Sequence, residues 1–167
     1  MSPKKQSLVA LGLAVVASTA AIAAGTIKDI LPVPLKPVIP AEQRNCTAKT
    51  PSGLGFVELK PGVGRTPEAT DVVLINYIGY LQSTGAVFDQ AAPSAFGVSD
   101  VIPGFTEGLK MVPKGATYRF CIPAALGYGE KGAGADIPPN ADLVFQVEMV
   151  DLKTQTEIAA MRAEGGQ

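Results

Sequence analysis

Three apolar segments with an alternating pattern constrain the fold of this 167-residue chain more than any other feature. Segment 71–81 is rich in β-branched residues, and segments 116–123 and 142–152 alternate large apolar residues with polar ones. Successive side chains of a strand point to opposite faces, so Phe145 and Val147 share a face while the polar residues between them lie on the other. The pattern predicts an antiparallel sheet with one apolar face and one face in water.

One short helix is predicted between these strands. Pro103 suits the first helical position, because its missing N–H has no partner there in any case, and the helical pattern continues to the turn at 113–115. A shorter strand is expected at 54–59, and the tail is compatible with a helical turn or two over 154–164. One helix against one sheet indicates an α+β domain with a single core.

The composition excludes several kinds of chemistry. The chain has no histidine, which removes the usual proton shuttle near neutral pH and the commonest metal ligand. With two cysteines it cannot build a Cys-rich zinc cluster, and we expect no metal site. A formal net charge of -1 offers no basic surface for phosphate backbones, so nucleic acid is not an expected partner.

The N-terminus, residues 1–25, has the pattern of a signal peptide or a membrane anchor. Lys4 and Lys5 precede an uncharged apolar run at 8–25, with a candidate cleavage site at 21–23. The run is at the lower limit for crossing a bilayer, so a retained anchor is an alternative, and a buried core helix is a third. Either of the first two places the protein in the periplasm or at the outer face of the cytoplasmic membrane.

The next stretch, residues 26–50, is predicted to be a Pro-rich linker. Its four prolines recur every two or three residues, which favours an extended path and excludes a long helix. Such a linker would hold the domain away from a membrane, or be disordered after cleavage. The folded domain is then expected at 51–153 and a C-terminal tail at 154–167.

Three segments in order resemble one known family. They are NYIGYLQSTGAVFD at 76–89, VIPGFTEGLKMVPKG at 101–115, and the stretch 122–152 with its Tyr-Gly loop and Ile-Pro-Pro-Asn turn. Together they are similar to FKBP-type peptidyl-prolyl cis-trans isomerases of the bacterial exported type, over about residues 50–152. The resemblance implies a twisted antiparallel sheet wrapped around one short helix.

The resemblance also implies a pocket. The catalytic positions that match the family are Asp89, Tyr128 and Ile102, and the substrate-binding positions are Tyr77, Phe88, Val101, Phe105, Ile137 and Phe145. Without the resemblance, the apolar residues of this set are explained as ordinary core residues. Asp89 is then explained as a turn residue or a helix cap. Phe105 stands where the family usually has Trp, which implies a smaller and less polar floor. The stretch 88–96 is shorter than usual and lacks the Arg that often neighbours the Asp.

The expected function is isomerisation of X-Pro bonds in exported proteins, which assists their folding and needs no cofactor. The implied partners are proline-containing unfolded or extended polypeptides and, for the pocket, macrolide inhibitors; a membrane is a partner only if the N-terminal segment is uncleaved. One alternative is a non-catalytic chaperone that binds proline-containing segments in the same pocket. Another is a structural domain of the envelope, in which the pocket would be closed or polar.

The two cysteines raise a separate hypothesis. Cys46 and Cys121 would be able to form a disulfide in an exported protein, and Cys121 lies on the strand face opposite the core residues, where the N-terminal segment can reach it. Two free thiols are the alternative, since bridging requires Cα atoms within about 7 Å.

Overall fold

A six-stranded antiparallel sheet and two helices form the fold, as expected for an α+β domain. The computed structural model describes residues 30–31 and 38–165; the predicted signal or anchor and the remainder of the predicted linker lie outside these residues. The elements are β1 Ala48–Lys49, β2 Gly55–Lys60, β3 Val72–Leu81, β4 Val87–Gly97, α1 Pro103–Leu109, β5 Thr117–Ile122, β6 Leu143–Lys153 and α2 Gln155–Gly165.

The strands are ordered β1-β2-β5-β6-β3-β4, and every neighbouring pair is antiparallel. The long strands β3 and β6 are therefore inside the sheet, and β4 lies at one edge. The register places Phe145 of β6 opposite Phe120 of β5 and Gly79 of β3. Because alternate residues share a face, this register gathers the large apolar side chains of three strands on one side of the sheet.

The core lies between that face and α1. The helix begins at Pro103 and ends at Leu109, close to the predicted bounds, and it turns Phe105 and Leu109 toward the sheet. The alternation predicted for 142–152 is found in β6, where Leu143, Val147 and Met149 are fully buried. The periodicity of each strand and the proline at the helix start thus produce this packing.

The opposite face of the sheet is not exposed to water throughout, which corrects the sequence-based expectation. Ile78 and Tyr80 point to that face of β3 and have no exposed surface. They form a second apolar cluster with Val144 of β6 and with Leu31 and Ile39, two residues of the predicted linker. The end of β3 carries apolar side chains on both faces because a further segment of the chain covers it.

We call this segment, residues 30–31 and 38–47, the N-terminal cover; β1 follows it directly. The side-chain amide of Gln146 makes two buried hydrogen bonds of 2.7 Å with Leu31, accepting from its N–H and donating to its carbonyl. The N–H of Ile39 donates to the carbonyl of Gly85 at 2.7 Å. The cover thus contacts β6 and the β3–β4 turn through hydrogen bonds as well as apolar side chains. The domain division that we expect at residues 25, 50 and 153 stays a prediction.

A disulfide joins the cover to the sheet. Cys46 and Cys121 are bonded, with their Cα atoms 6.0 Å apart. Cys121 lies on β5, on the face that the cover occupies, so the cover is tied covalently to the middle of the fold.

The C-terminal helix α2 is mostly exposed, with Ile158 half-buried and no residue fully buried. It begins after Thr154, whose hydroxyl accepts a hydrogen bond from the N–H of Glu157, while the Glu157 carboxylate accepts from the N–H of Thr154. This reciprocal pair satisfies N–H groups that a helix start otherwise leaves free. Within the described ranges, the helices are all too short or too polar to span a bilayer.

Candidate functional site

A cavity of about 630 Å³ opens where β3, β4 and β6 meet the start of α1 and the loop between β5 and β6. All nine residues predicted from the resemblance line it. They are Tyr77, Phe88, Asp89, Val101, Ile102, Phe105, Tyr128, Ile137 and Phe145. The structure therefore brings them together, and their individual roles stay predictions.

Phe105 and Phe145 form the floor of the cavity. Both are almost fully buried, and their ring centroids are 4.6 Å apart. Phe105 reaches this place because it lies one turn into a helix that packs against the sheet, and Phe145 because it lies on the inner face of β6. Tyr77 of β3 closes one side, with its ring 6.4 Å from each of them. Clustered rings of this kind give the floor a large apolar surface.

Gly79 makes room for two of the wall rings, and sequence reasoning missed it. A Cβ atom at this position would lie 2.6 Å from the Phe145 ring and 2.8 Å from the Phe88 ring, closer than real contacts allow. With the glycine present, the two rings meet edge to face at 5.5 Å. A glycine inside a strand often marks such a close approach, which is the signal that could have revealed it.

Asp89 lies within β4, opposite Gly79, and is neither a turn residue nor a helix cap. Its carboxylate accepts a hydrogen bond of 2.8 Å from the Tyr77 hydroxyl. Burial, followed by this hydrogen bond to the carboxylate, raises the pKa of Tyr77 well above its usual value. Tyr77 therefore remains protonated over the physiological range and keeps the Asp89 carboxylate at the edge of the cavity.

Two hydrogen-bond donors lie at the mouth. Ile102 precedes the first residue of α1, and its carbonyl accepts from the N–H groups of Phe105 and Thr106 at 2.9 and 3.0 Å. Its own N–H makes no hydrogen bond to another described residue. The Tyr128 hydroxyl likewise has no partner among the described residues, and the side chain is 40% exposed. Both groups are available to a bound molecule.

Four further lining residues were not predicted. They are Phe96, Asp100, Ala133 and Asp136. Phe96 packs edge to face on Tyr77, with centroids 5.6 Å apart, and its even spacing from Phe88 along β4 could have indicated a shared face. No pattern in the sequence marks the two aspartates, because they lie in loops whose shape depends on contacts distant in the chain.

The arrangement is suited to binding an apolar ring that is flanked by polar backbone. The aromatic floor can take the ring, and the donors at the mouth can hold the backbone on either side of it. In the described residues, no group of three or more acidic or cysteine side chains is placed to hold a metal ion.

Comparisons with known proteins give matches over the folded part of the chain. Residues 63–150 match the family model described as FKBP-type peptidyl-prolyl cis-trans isomerase. A probable FKBP-type peptidyl-prolyl cis-trans isomerase of Haemophilus influenzae is 45% identical over 112 residues, 65% of this chain and 46% of that protein. Outer membrane protein MIP of Legionella longbeachae is 39% identical over 107 residues, 62% of this chain and 46% of that protein.

The fold has a solved counterpart as well. The crystal structure of FkpA from Escherichia coli is similar with a TM-score of 0.61 at 40% identity, covering 64% of this chain and 51% of that one. The chain spans about half the length of the curated relatives that it matches.

Proposed function

Because the chain belongs to the FKBP-type peptidyl-prolyl cis-trans isomerase family, we propose that its domain catalyses cis-trans isomerisation of X-Pro peptide bonds. One observation carries the proposal: an open pocket with an aromatic floor at Phe105 and Phe145, and with two hydrogen-bond donors at its mouth that have no partner among the described residues. An X-Pro bond offers a small apolar ring flanked by polar backbone, which is what such a pocket accommodates.

The reaction is a rotation about the peptide C–N bond, and no covalent bond is broken. Resonance gives the peptide bond a rotational barrier of about 18–20 kcal/mol, and an X-Pro bond takes tens to hundreds of seconds to cross it unaided. At the twisted midpoint resonance is lost and the carbonyl becomes less polar. A water-poor pocket favours that midpoint over the planar state, which water solvates better, and binding the midpoint more tightly lowers the barrier.

Each group has a place in this scheme. Phe105 and Phe145 receive the prolyl ring, with Tyr77, Phe88, Val101 and Ile137 around it. The Ile102 N–H and the Tyr128 hydroxyl donate hydrogen bonds to the substrate backbone and fix its path. Asp89, positioned by Tyr77, faces the rotating carbonyl from the edge of the pocket. None of these roles requires imidazole, a metal ion or a cofactor.

The substrates we propose are exported proteins that fold outside the cytoplasm. The basic and apolar N-terminal sequence supports export, and one relative carries the name outer membrane protein. We place the protein in the periplasm or at the outer face of the cytoplasmic membrane. Macrolide inhibitors would occupy the same apolar floor.

The test is a direct measurement of cis-trans exchange in proline tetrapeptides, with the protein from residue 26 onward and several residues before the proline. We expect exchange to accelerate in proportion to protein concentration. Exchange at the uncatalysed rate for every peptide would contradict the proposed enzyme function. If the peptides bind but their exchange is not accelerated, the non-catalytic chaperone is the better explanation. The open, aromatic pocket already disfavours a purely structural domain, for which a closed or polar pocket is expected.

A further inference from the structure

Three carboxylates lie around the mouth of the pocket, and no described residue that lines it is Lys or Arg. They belong to Asp89, Asp100 and Asp136, and all three residues are exposed to solvent. The floor beneath them is aromatic and uncharged. The pocket therefore has an apolar interior and a mouth with charge of one sign.

The three carboxylates come from different parts of the fold. Asp89 belongs to the edge strand β4 and is held by the Tyr77 hydroxyl. Asp100 follows β4 in a turn in which its N–H donates to the carbonyl of Gly97 at 3.0 Å. The Asp100 carboxylate lies against the backbone of Gly97. This contact needs a glycine, because a Cβ atom on Gly97 would lie 2.1 Å from Oδ2 of Asp100.

Asp136 is placed by a small loop between β5 and β6. Ala133 and Ile137 exchange two backbone hydrogen bonds, of 2.9 and 3.2 Å, which close the loop directly beside it. The neighbouring Ile137 is buried in the pocket wall, so this loop is anchored at its base.

The three groups are spread around the mouth, and they do not converge on one point. No cluster of three or more acidic side chains suited to a metal ion is found among the described residues. The carboxylates therefore act on a ligand as separate charges at its periphery. The apolar floor takes an uncharged ring, so any charge that they attract must belong to the residues flanking that ring.

We propose that the pocket selects X-Pro segments that carry Lys or Arg beside the proline and disfavours those with Asp or Glu there. This inference rests on the proposed isomerase function and specifies its substrates. A long basic side chain can leave its apolar stem along the wall and bring its charge to the rim while the prolyl ring is on the floor. Exposed charge pairs are individually weak, so the preference is about three- to tenfold.

The experiment uses the full chain and tetrapeptides that differ only in the residue before the proline: Lys, its uncharged analogue norleucine, or Glu. A second series varies the residue after the proline. Exchange rates measured by NMR give kcat/KM without a coupling protease that has preferences of its own. At low salt we expect Lys to exceed norleucine about three- to tenfold in at least one series, and Glu to fall below it. In about 1 M salt the ratios should approach one, because the screening length falls to about 3 Å.

The double variant Asp100→Asn/Asp136→Asn removes two of the charges with little change in shape. We expect it to lower the Lys-to-norleucine ratio toward one. The matched control is Glu42→Gln/Glu164→Gln, which removes the same net charge at two exposed positions that do not line the pocket, and it should keep the ratio.

The outcomes separate this inference from the function on which it rests. Catalysis of the norleucine peptide without a Lys preference, or a Lys preference of unchanged size in Asp100→Asn/Asp136→Asn, overturns the inference and leaves the isomerase intact. If no peptide is catalysed, the isomerase function is lost. In that case the affinity of the protein for the same peptides is measured by titration. Tighter binding of the Lys peptide than of the norleucine peptide supports the charge preference for a pocket that binds without catalysis. Equal binding, or none, overturns it.

Discussion

Phe105 is the residue whose role is hardest to separate from packing. It is 4% exposed, lies 4.6 Å from the Phe145 ring and also belongs to the main core. Replacement by Ala would be uninformative, since removing a buried Phe costs about 3–5 kcal/mol out of a total stability of about 5–15 kcal/mol. A loss of activity could then reflect unfolding alone.

Phe105→Leu keeps the position apolar with a modest change in volume, and we expect the melting temperature to stay within a few degrees of the parent. Catalysis should fall, because the floor no longer presents a ring to the substrate. Phe105→Trp should hold or raise catalysis and tighten macrolide binding. Exchange rates and thermal unfolding of each variant provide the measurement.

Leu109→Met is the matched control for this pair. Leu109 is fully buried one turn further along α1 and does not line the pocket, so its variant should share any small loss of stability and retain catalysis. If Phe105→Leu and Phe105→Trp both keep full activity, Phe105 is packing only and the pocket has been placed wrongly.

At the scale of the elements, the two faces of the sheet have different partners. One face packs on α1 and contains the pocket, and the other is partly covered by residues 30–31 and 38–47. Gln146 on β6 is the clearest link to the cover. Its side-chain amide pairs with the backbone N–H and carbonyl of Leu31, as a neighbouring strand would do in a sheet. Both hydrogen bonds are buried. A buried amide is costly unless its partners are present, so the two segments depend on each other.

We expect Gln146→Met to lower the free energy of unfolding by about 1–3 kcal/mol, because it leaves the Leu31 N–H and carbonyl without these partners at a similar side-chain volume. Urea denaturation measures the change. Gln155→Met makes the same chemical change at an exposed hydrogen bond on α2 and should alter stability by less than about 0.5 kcal/mol.

Catalysis distinguishes a local from a general effect of this substitution. Gln146 lies on the sheet face opposite the pocket, so the folded variant should isomerise proline at the parent rate. A stability equal to the parent would mean that the cover does not depend on this amide.

How far the sequence predicts the structure differs between these elements. β6 and α1 were predictable because their signals are local: strict alternation in one, and a proline at the first helical position in the other. The cover was not, because its residues show neither strand nor helix periodicity, and the contact between Leu31 and Gln146 joins residues 115 positions apart.

The pocket shows the same limit. Nine of its lining residues could be transferred from a resemblance, whereas Gly79 and Asp100 matter through contacts that only the folded chain reveals. Gly79 matters because its missing side chain leaves space for the Phe88 and Phe145 rings. Asp100 matters because the turn after β4 places its carboxylate against Gly97 at the pocket.

For the whole molecule, the disulfide between Cys46 and Cys121 ties together residues 75 positions apart. We expect Cys46→Ala/Cys121→Ala to lower the free energy of unfolding by about 2–5 kcal/mol, since the crosslink limits the freedom of the unfolded chain. Denaturation with and without reductant is the measurement. Reductant should destabilise the parent and leave the double variant unchanged.

Intact mass gives an independent reading of the same bond. The parent should gain the mass of two hydrogen atoms on reduction. If the mass does not change, the protein carries two free thiols. If parent and variant are equally stable, the disulfide does not contribute to the free energy of unfolding.

The separation of pocket and cover on opposite faces bears on how the proposed isomerase would reach a very long substrate. Most prolines of an unfolded protein lie far from either terminus, so its chain continues in both directions from the bond being turned. The mouth of the pocket is exposed at Tyr128, Asp89, Asp100 and Asp136, and the cover lies behind the sheet. Such a chain can therefore be engaged sideways at any internal proline, and it never has to be threaded through the protein.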